Sequence, residues 1–170
     1  MNETTEYENI LPKELARWVH NNTDIEGITI SGGEPFMQPV EELCEFLEVV
    51  RQNNNDKLSV VCYTGYLIDE LLADRSKKTV LSYVDVLIDG QYAQEQDAGQ
   101  RWRGSANQRF HFLTERYRSC ADEWNTAMER QIELDLDING KLLISGVPSK
   151  DFINKLTTAL RQRDVNVDFS

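Results

Sequence analysis

The sequence predicts a mixed α/β domain built around a parallel sheet, and three observations carry that expectation. Helix-period and strand-like segments alternate through the first 90 residues. The strand-like segments are short and rich in β-branched residues, without a polar face, as in strands covered on both sides. Each of them runs into a turn-like segment: Ser31 to Pro35, Thr64 to Tyr66, and Asp89 to Tyr92.

Leu11, Leu15, Trp18 and Val19 follow helical spacing, with Pro12 suited to the first turn. Gly27 to Ser31 reads as a strand buried on both faces and ending at Gly32-Gly33. Val40, Leu43, Phe46, Leu47 and Val50 mark a second helix, stopped by the polar run Asn53 to Asp56. Leu58 to Tyr63 is a second buried strand, Leu67 to about Arg75 a third helix, and Val84 to Ile88 a third strand. This order implies parallel strands with right-handed crossovers. Ligands of such sheets bind outside the carboxyl ends of the strands, where the three turn-like segments converge.

The last third differs. Residues 91–109 are polar and lack periodicity, which suits a long functional loop. Ile132, Leu134, Leu136 and Ile138 alternate with polar residues, Asn139-Gly140 signals a tight hairpin turn, and Leu142 to Ser145 would return. Ser149 suits the cap of a final helix carrying Phe152, Leu156 and Leu160 on one face. Asp135, Asp137, Asn139 and Gly140 also fit the opening of a calcium loop, but its twelfth position is Gly146 instead of Glu, and the flanks alternate with period two. The hairpin is the reading kept. With no repeats or low-complexity linkers, residues 1–170 read as a single domain.

Composition narrows the function. The chain carries a formal charge of -11 and a sequence pI near 4.6, which disfavours phosphate backbones. Arg101, Arg103, Arg109, Arg116 and Arg118 cluster, but with Glu115, Asp122 and Glu123 they read as a mixed, solvated face. No nucleic-acid partner is expected. No apolar run approaches the ~20 residues of a membrane span, and Met1 to Asn9 lack the character of a signal peptide. The expectation is a cytoplasmic protein with no membrane partner. Cys44, Cys62 and Cys120 are widely spaced; Cys44 and Cys62 sit in apolar patterns and read as buried small hydrophobes. His20 and His111 have no evident metal partners. No residue is assigned as catalytic or metal-ligating.

The chemistry concentrates in Ser31-Gly32-Gly33-Glu34-Pro35. Paired glycines allow positive φ and close approach of a ligand to the backbone, and Glu34 adds a carboxylate able to hold an ammonium group. A strand-terminating turn with a helix-directing glutamate is the other reading, and residue types alone leave both open.

The segment Gly27 to Phe36 with Gln38-Pro39 resembles the glycine-glycine-glutamate motif of radical S-adenosylmethionine (SAM) activating enzymes, nearest the activases of anaerobic (class III) ribonucleotide reductases in the 4Fe-4S single-cluster family. Tyr63-Thr64-Gly65-Tyr66, Asp85 to Gly90, Gly104-Ser105 with Asn107-Gln108-Arg109, and Ser145-Gly146-Val147-Pro148 extend the likeness in order. The resemblance implies a partial (β/α) barrel of the radical SAM type, with a C-terminal β-hairpin and helix. It implies SAM as cofactor on a [4Fe–4S] cluster, a 5′-deoxyadenosyl radical, and a glycyl-radical enzyme of the anaerobic ribonucleotide reductase kind as partner. Gly32, Gly33 and Glu34 would hold the methionine end of SAM, Met1 would lie beside its adenine, Thr64 would be a further contact, and Gly104 to Arg109 would shape the mouth.

The family's C-x-x-x-C-x-x-C cluster motif is not in this sequence. Met1 to Thr5 resemble the family's residues just after the third cysteine, so the chain reads as truncated, with first strand and cluster loop missing. On that reading it carries no cluster, is inactive alone, and tends to self-associate through the exposed sheet edge. Two alternatives stand beside the activase: a non-catalytic, degenerate binding module of the same fold, and a radical SAM enzyme modifying another peptide or protein.

Overall fold

The computed structural model describes residues 10–22, 24–52, 58–97, 99–128, 132–136, 138, 142–146, 148 and 150–163. They gather into two compact units. One is formed by residues up to Tyr92 with Asn107–Asp122, the other by Ala93–Ala106 with the residues from Glu123 onward.

The first unit holds a four-stranded sheet in the order β1 (Gly27–Ile30), β2 (Ser59–Tyr63), β3 (Val86–Asp89), β4 (Arg109–Phe112). The first three strands are parallel, with Ile28 opposite Val60 and Cys62 opposite Leu87. Helix α1 (Pro12–Asn21) precedes β1, α2 (Val40–Gln52) joins β1 to β2, and α3 (Ile68–Ala73) with α4 (Arg75–Leu81) joins β2 to β3. This is the parallel α/β arrangement that the alternating pattern predicts. Leu47, Val50, Val60, Leu71, Val80, Val84, Leu87 and their neighbours form its core, and every residue of β3 is buried.

Several details depart from the sequence reading. β1 is not buried on both faces: Thr29 is exposed while Ile28 and Ile30 pack against the core, and among the described residues the strand pairs only with β2. Helix α1 buries Ala16 and Val19, whereas Leu11, Leu15 and Trp18 stay largely exposed. The expected third helix is present as α3, and a fourth helix that the sequence reading did not give, α4, follows it directly. Asp74 ends α3 and caps α4, its side chain accepting from the Ser76 and Lys77 amides at 2.9 and 3.2 Å. Cys62 is buried as expected, but Cys44 is only half-buried. The region 91–109 contains a short 3-10 turn at Gln94–Gln96 and gives way to β4, antiparallel to β3 with Asp89 opposite Arg109.

Helix α5 (Ala121–Thr126) carries the chain into the second unit. There β5 (Ile132–Leu136) and β6 (Leu142–Gly146) pair antiparallel, with Leu134 opposite Ile144, and α6 (Lys150–Arg161) follows. Strand pairing in place of flanking helices favours the hairpin over a calcium loop; Asp137, the Asn139-Gly140 turn and the Ser149 cap lie outside the described residues. Trp102 and Trp124 stack at 4.9 Å between centroids, with the Arg101 guanidinium 5.0 Å from the Trp102 ring.

At the amino end of β3 the first unit is tied by Asp85, which is 2% exposed. Its carboxylate accepts from the Val60 amide at 2.8 Å, Arg51 Nη2 at 2.9 Å and Thr114 Oγ1 at 2.7 Å. Arg51 also donates to the Tyr83 and Leu58 carbonyls. One carboxylate thus joins α2, β2, β3 and the segment after β4. Removing one partner of a buried ion pair strands the other. Asp85→Ala is therefore expected to cost about 3 kcal/mol, the low end of the range for broken buried pairs because Arg51 keeps its carbonyl acceptors. Urea denaturation checks this, and a cost within experimental error of zero would refute the role of Asp85.

Candidate functional site

The loops leaving the carboxyl ends of β1, β2 and β3 enclose an open cleft of about 370 Å³. Gly32, Gly33 and Glu34 line it from the first loop, Tyr63, Thr64 and Gly65 from the second, and Gly90, Gln91 and Tyr92 from the third, with Gln108 completing the wall. Four of the five residues singled out from sequence come together here. The fifth, Met1, lies outside the described residues.

Gly32 and Gly33 have φ values of 83° and 56°, in the left-handed region that side chains disfavour. A Cβ at either position would meet no other atom within 4 Å. Space does not demand glycine there; the backbone conformation does, and it leaves two bare peptide units facing the cleft. Pro35, Phe36 and Met37 then form one 3-10 turn, with Phe36 buried.

Glu34 joins two loops. Oε1 accepts from the Phe36 amide at 3.1 Å and from Thr64 Oγ1 at 2.7 Å, and Oε2 accepts from the Gly65 amide at 2.7 Å. The turn-directing reading of this glutamate is therefore realised. A carboxylate has about four acceptor positions, so three donors leave capacity for one more. Thr64 is 4% exposed, and its hydroxyl also accepts from the Tyr66 amide at 3.1 Å. It positions Glu34 and the β2 loop together.

The third loop is held by residues 107–109. Asn107 Nδ2 donates to the Gln91 carbonyl at 2.7 Å, and Gln108 Nε2 to the Gly90 carbonyl at 2.9 Å. Arg109 Nε and Nη2 grip Asp89 at 3.1 and 2.7 Å. Gly90, at φ 99°, donates its amide to the Tyr66 carbonyl at 3.1 Å, while its own carbonyl is held by the Gln108 side chain. Asp89 is fully buried and also accepts from the Ile68 amide at 2.8 Å. His111 Nε2 stands 2.9 Å from Asp89 Oδ2, close enough for a charge contact but off a good hydrogen-bond direction. Burial alone would raise the Asp89 carboxyl, but the bonds from Arg109 and the Ile68 amide, with the neighbouring His111 ring, hold it below the usual value. Beneath the cleft, burial and then the Glu34 charge push the Cys62 thiol up to about 12, so it stays protonated and unreactive at neutral pH.

Sequence reasoning gave no individual role to Gly65, Gln91, Tyr92 or Gln108, although the first three fall in the turn-like segments it marked and Gln108 in the mouth-shaping block, which it left without a mechanism. Gly104 and Ser105 lie in the second unit, where Ser105 Oγ accepts from the Ala93 amide at 3.0 Å. The signal available for the missed residues was their place directly after strands, or facing one. Among the described residues no three His, Cys, Asp or Glu side chains stand close enough to share a metal ion, and no helix is long and apolar enough to cross a membrane.

The fold is mixed α/β, and its glycine-opened cleft lies outside the carboxyl ends of the parallel strands, where sheets of this kind take their ligands. The chain belongs to the 4Fe-4S single cluster domain family, whose model matches residues 2–111. It is similar to the anaerobic ribonucleoside-triphosphate reductase-activating protein of Haemophilus influenzae, 46% identical over 89 residues covering 51% of this chain and 55% of the relative. The protein of the same name from Vibrio cholerae is 42% identical over 91 residues (52% and 56%), and that of bacteriophage T4 35% over 98 residues (57% and 59%). The chain spans a little over half the length of these relatives. No solved structure matches it.

Two outcomes are expected. Thr64→Val removes a hydrogen bond to a charged acceptor and is expected to cost about 2 kcal/mol, with Thr64→Ser recovering most of it in urea melts. An unchanged midpoint for Thr64→Val would contradict the clasp. Because the folded Asp89 carboxyl titrates below its unfolded value of about 3.9, the unfolded chain binds more protons in that window, and stability rises with pH there. The Asp89 contribution is complete above about pH 5 and is lost as pH falls below about 4. Denaturation midpoints between those values are expected to fall more steeply for the native sequence than for Asp89→Asn; equal slopes would contradict it.

Proposed function

We propose that this chain carries the cofactor-positioning part of a radical SAM activase for an anaerobic ribonucleotide reductase, with the α/β unit forming part of a radical SAM-type partial barrel. The observation that carries the proposal is the union of bare Gly32 and Gly33 peptides with a Glu34 carboxylate that three donors fix in place and leave able to accept one more. That arrangement suits a small zwitterion.

The cleft residues fit the methionine end of SAM. Glu34 would accept from its ammonium group, the Gly32 and Gly33 backbone would lie along its amino-acid portion, and Thr64 would hold Glu34 in position. SAM held there would supply radical chemistry toward a partner polypeptide, with the electron coming from outside the described residues. This chain's own residues would orient the cofactor in the open cleft. The described residues do not fit a [4Fe–4S] cluster: Cys44 and Cys62 lie on separate elements, Cys62 is a buried thiol, and no metal-sharing group forms. The same observation supports a second reading, a binding module that keeps the fold and the reductase partner without the chemistry.

SAM is expected to bind the chain weakly but saturably by calorimetry. Gly33→Val forces a branched side chain into the left-handed region, a strain of roughly 1–2 kcal/mol, and is expected to abolish the saturable heat while the fold survives by circular dichroism. Equal affinity of both proteins would sink the assignment. Anaerobic expression from codons upstream of Met1, with iron and sulfide, separates the two readings: 5′-deoxyadenosine release supports the activase, and an extended frame with neither iron nor SAM cleavage supports the binding module.

A further inference from the structure

The polar cleft is framed by apolar residues that the fold leaves in water. Each loop leaving the carboxyl end of a parallel strand presents one: Met37 after β1 is 74% exposed, Leu67 after β2 is 47%, and Tyr92 after β3 is 54%. Large side chains so exposed are common singly. Here they recur at the same sheet edge, one per loop, with Met37 and Leu67 a few residues beyond those that line the cleft and Tyr92 among them. The helices these loops enter begin with acids. Glu41 and Glu42 open α2, and Asp69 and Glu70 open α3.

We infer that Met37, Leu67 and Tyr92 form a docking rim for a polypeptide segment that carries apolar side chains between basic flanks. Apolar anchors ringed by charge are the usual anatomy of a protein-binding surface. The acids of the first turns, on a chain of net charge -11, select the charge of the partner. A second copy of this chain would bring the same acids against themselves, and an anionic lipid surface would be repelled. Under the function proposed above, on which the inference rests for the reason a segment should lie there, this rim holds the partner polypeptide over the cleft. Met37 and Leu67 are not part of the cleft lining, whereas Tyr92 is, so partner recognition separates from cofactor positioning at the first two side chains and meets it at the third.

The test uses synthetic 15-residue probe peptides with Leu or Phe at every fourth position and Lys flanks, beside a matched set with Glu flanks. The chain has three methionines, so methyl-labelled methionine gives a sparse spectrum in which Met37 is assigned from Met37→Gln. The Lys-flanked set is expected to shift the Met37 methyl resonance and to bind at least tenfold more tightly by fluorescence anisotropy than the Glu-flanked set, weakening with salt. Met37→Gln with Leu67→Gln is expected to reduce that binding at least tenfold; adding Tyr92→Gln is expected to reduce it further. Equal binding of the two sets, full binding by the double variant, or a Met37 shift that follows chain concentration without peptide would overturn the inference, the last in favour of a second copy. SAM calorimetry on the double variant is read separately. Unchanged SAM heats with lost peptide binding support the division of labour. Absent SAM heats in the native chain count against the proposed function and leave the peptide result to decide the rim.

Discussion

The buried carboxylate of Asp89 is the constraint on which the rest of the site depends. It sits where the most deeply buried strand ends, and a charge there is tolerable only because Arg109, the Ile68 amide and His111 surround it. Those partners belong to different elements. Satisfying one carboxylate therefore fixes where α3 begins, where β4 pairs and where the chain leaves β3. Asp85 acts similarly at the other end of the strand, so β3 is pinned at both ends and the loop beyond it starts from a fixed point.

The cleft follows from that anchoring. Gly90 turns away from the sheet, Asn107 and Gln108 hold the carbonyls beyond it, and the third loop becomes a wall. The opposite side is built by Glu34, which ties the glycine loop after β1 to Thr64 and Gly65 after β2. Preorganisation of this kind lets a ligand find acceptors already oriented. The glycines leave room for a ligand to approach the backbone, and the clasp keeps the glutamate from collapsing into that room.

Much of this was legible in the residues. The alternation of helical and β-branched segments specifies the three parallel strands, and Asn139-Gly140 between alternating runs points to the hairpin of the second unit. Gly32, Gly33 and Glu34 draw attention by their place after a strand, but it is the family resemblance that gives them a ligand and adds Thr64. What the pattern hides is tertiary. Strand β4 is four residues long, and its register is set by the pairing of Asp89 with Arg109, which no periodicity announces. Leu11, Leu15 and Trp18 share a helical stripe, yet α1 packs through Ala16 and Val19, whose small side chains allow close approach to α2. Thr64 reads from sequence as a ligand contact, whereas the structure gives it first to Glu34. Gln108 and Gly65 act through an amide side chain and a backbone N–H, and such groups leave little compositional trace.

The most direct test of the account is a heteronuclear correlation spectrum of the chain labelled with 15N at its nine glycines, titrated with SAM. The account predicts that the amides of Gly32, Gly33 and Gly65 shift together and saturate, while Gly27 and Gly104 stay in place. Shifts spread evenly over the glycines, or confined to those outside the cleft, would contradict it.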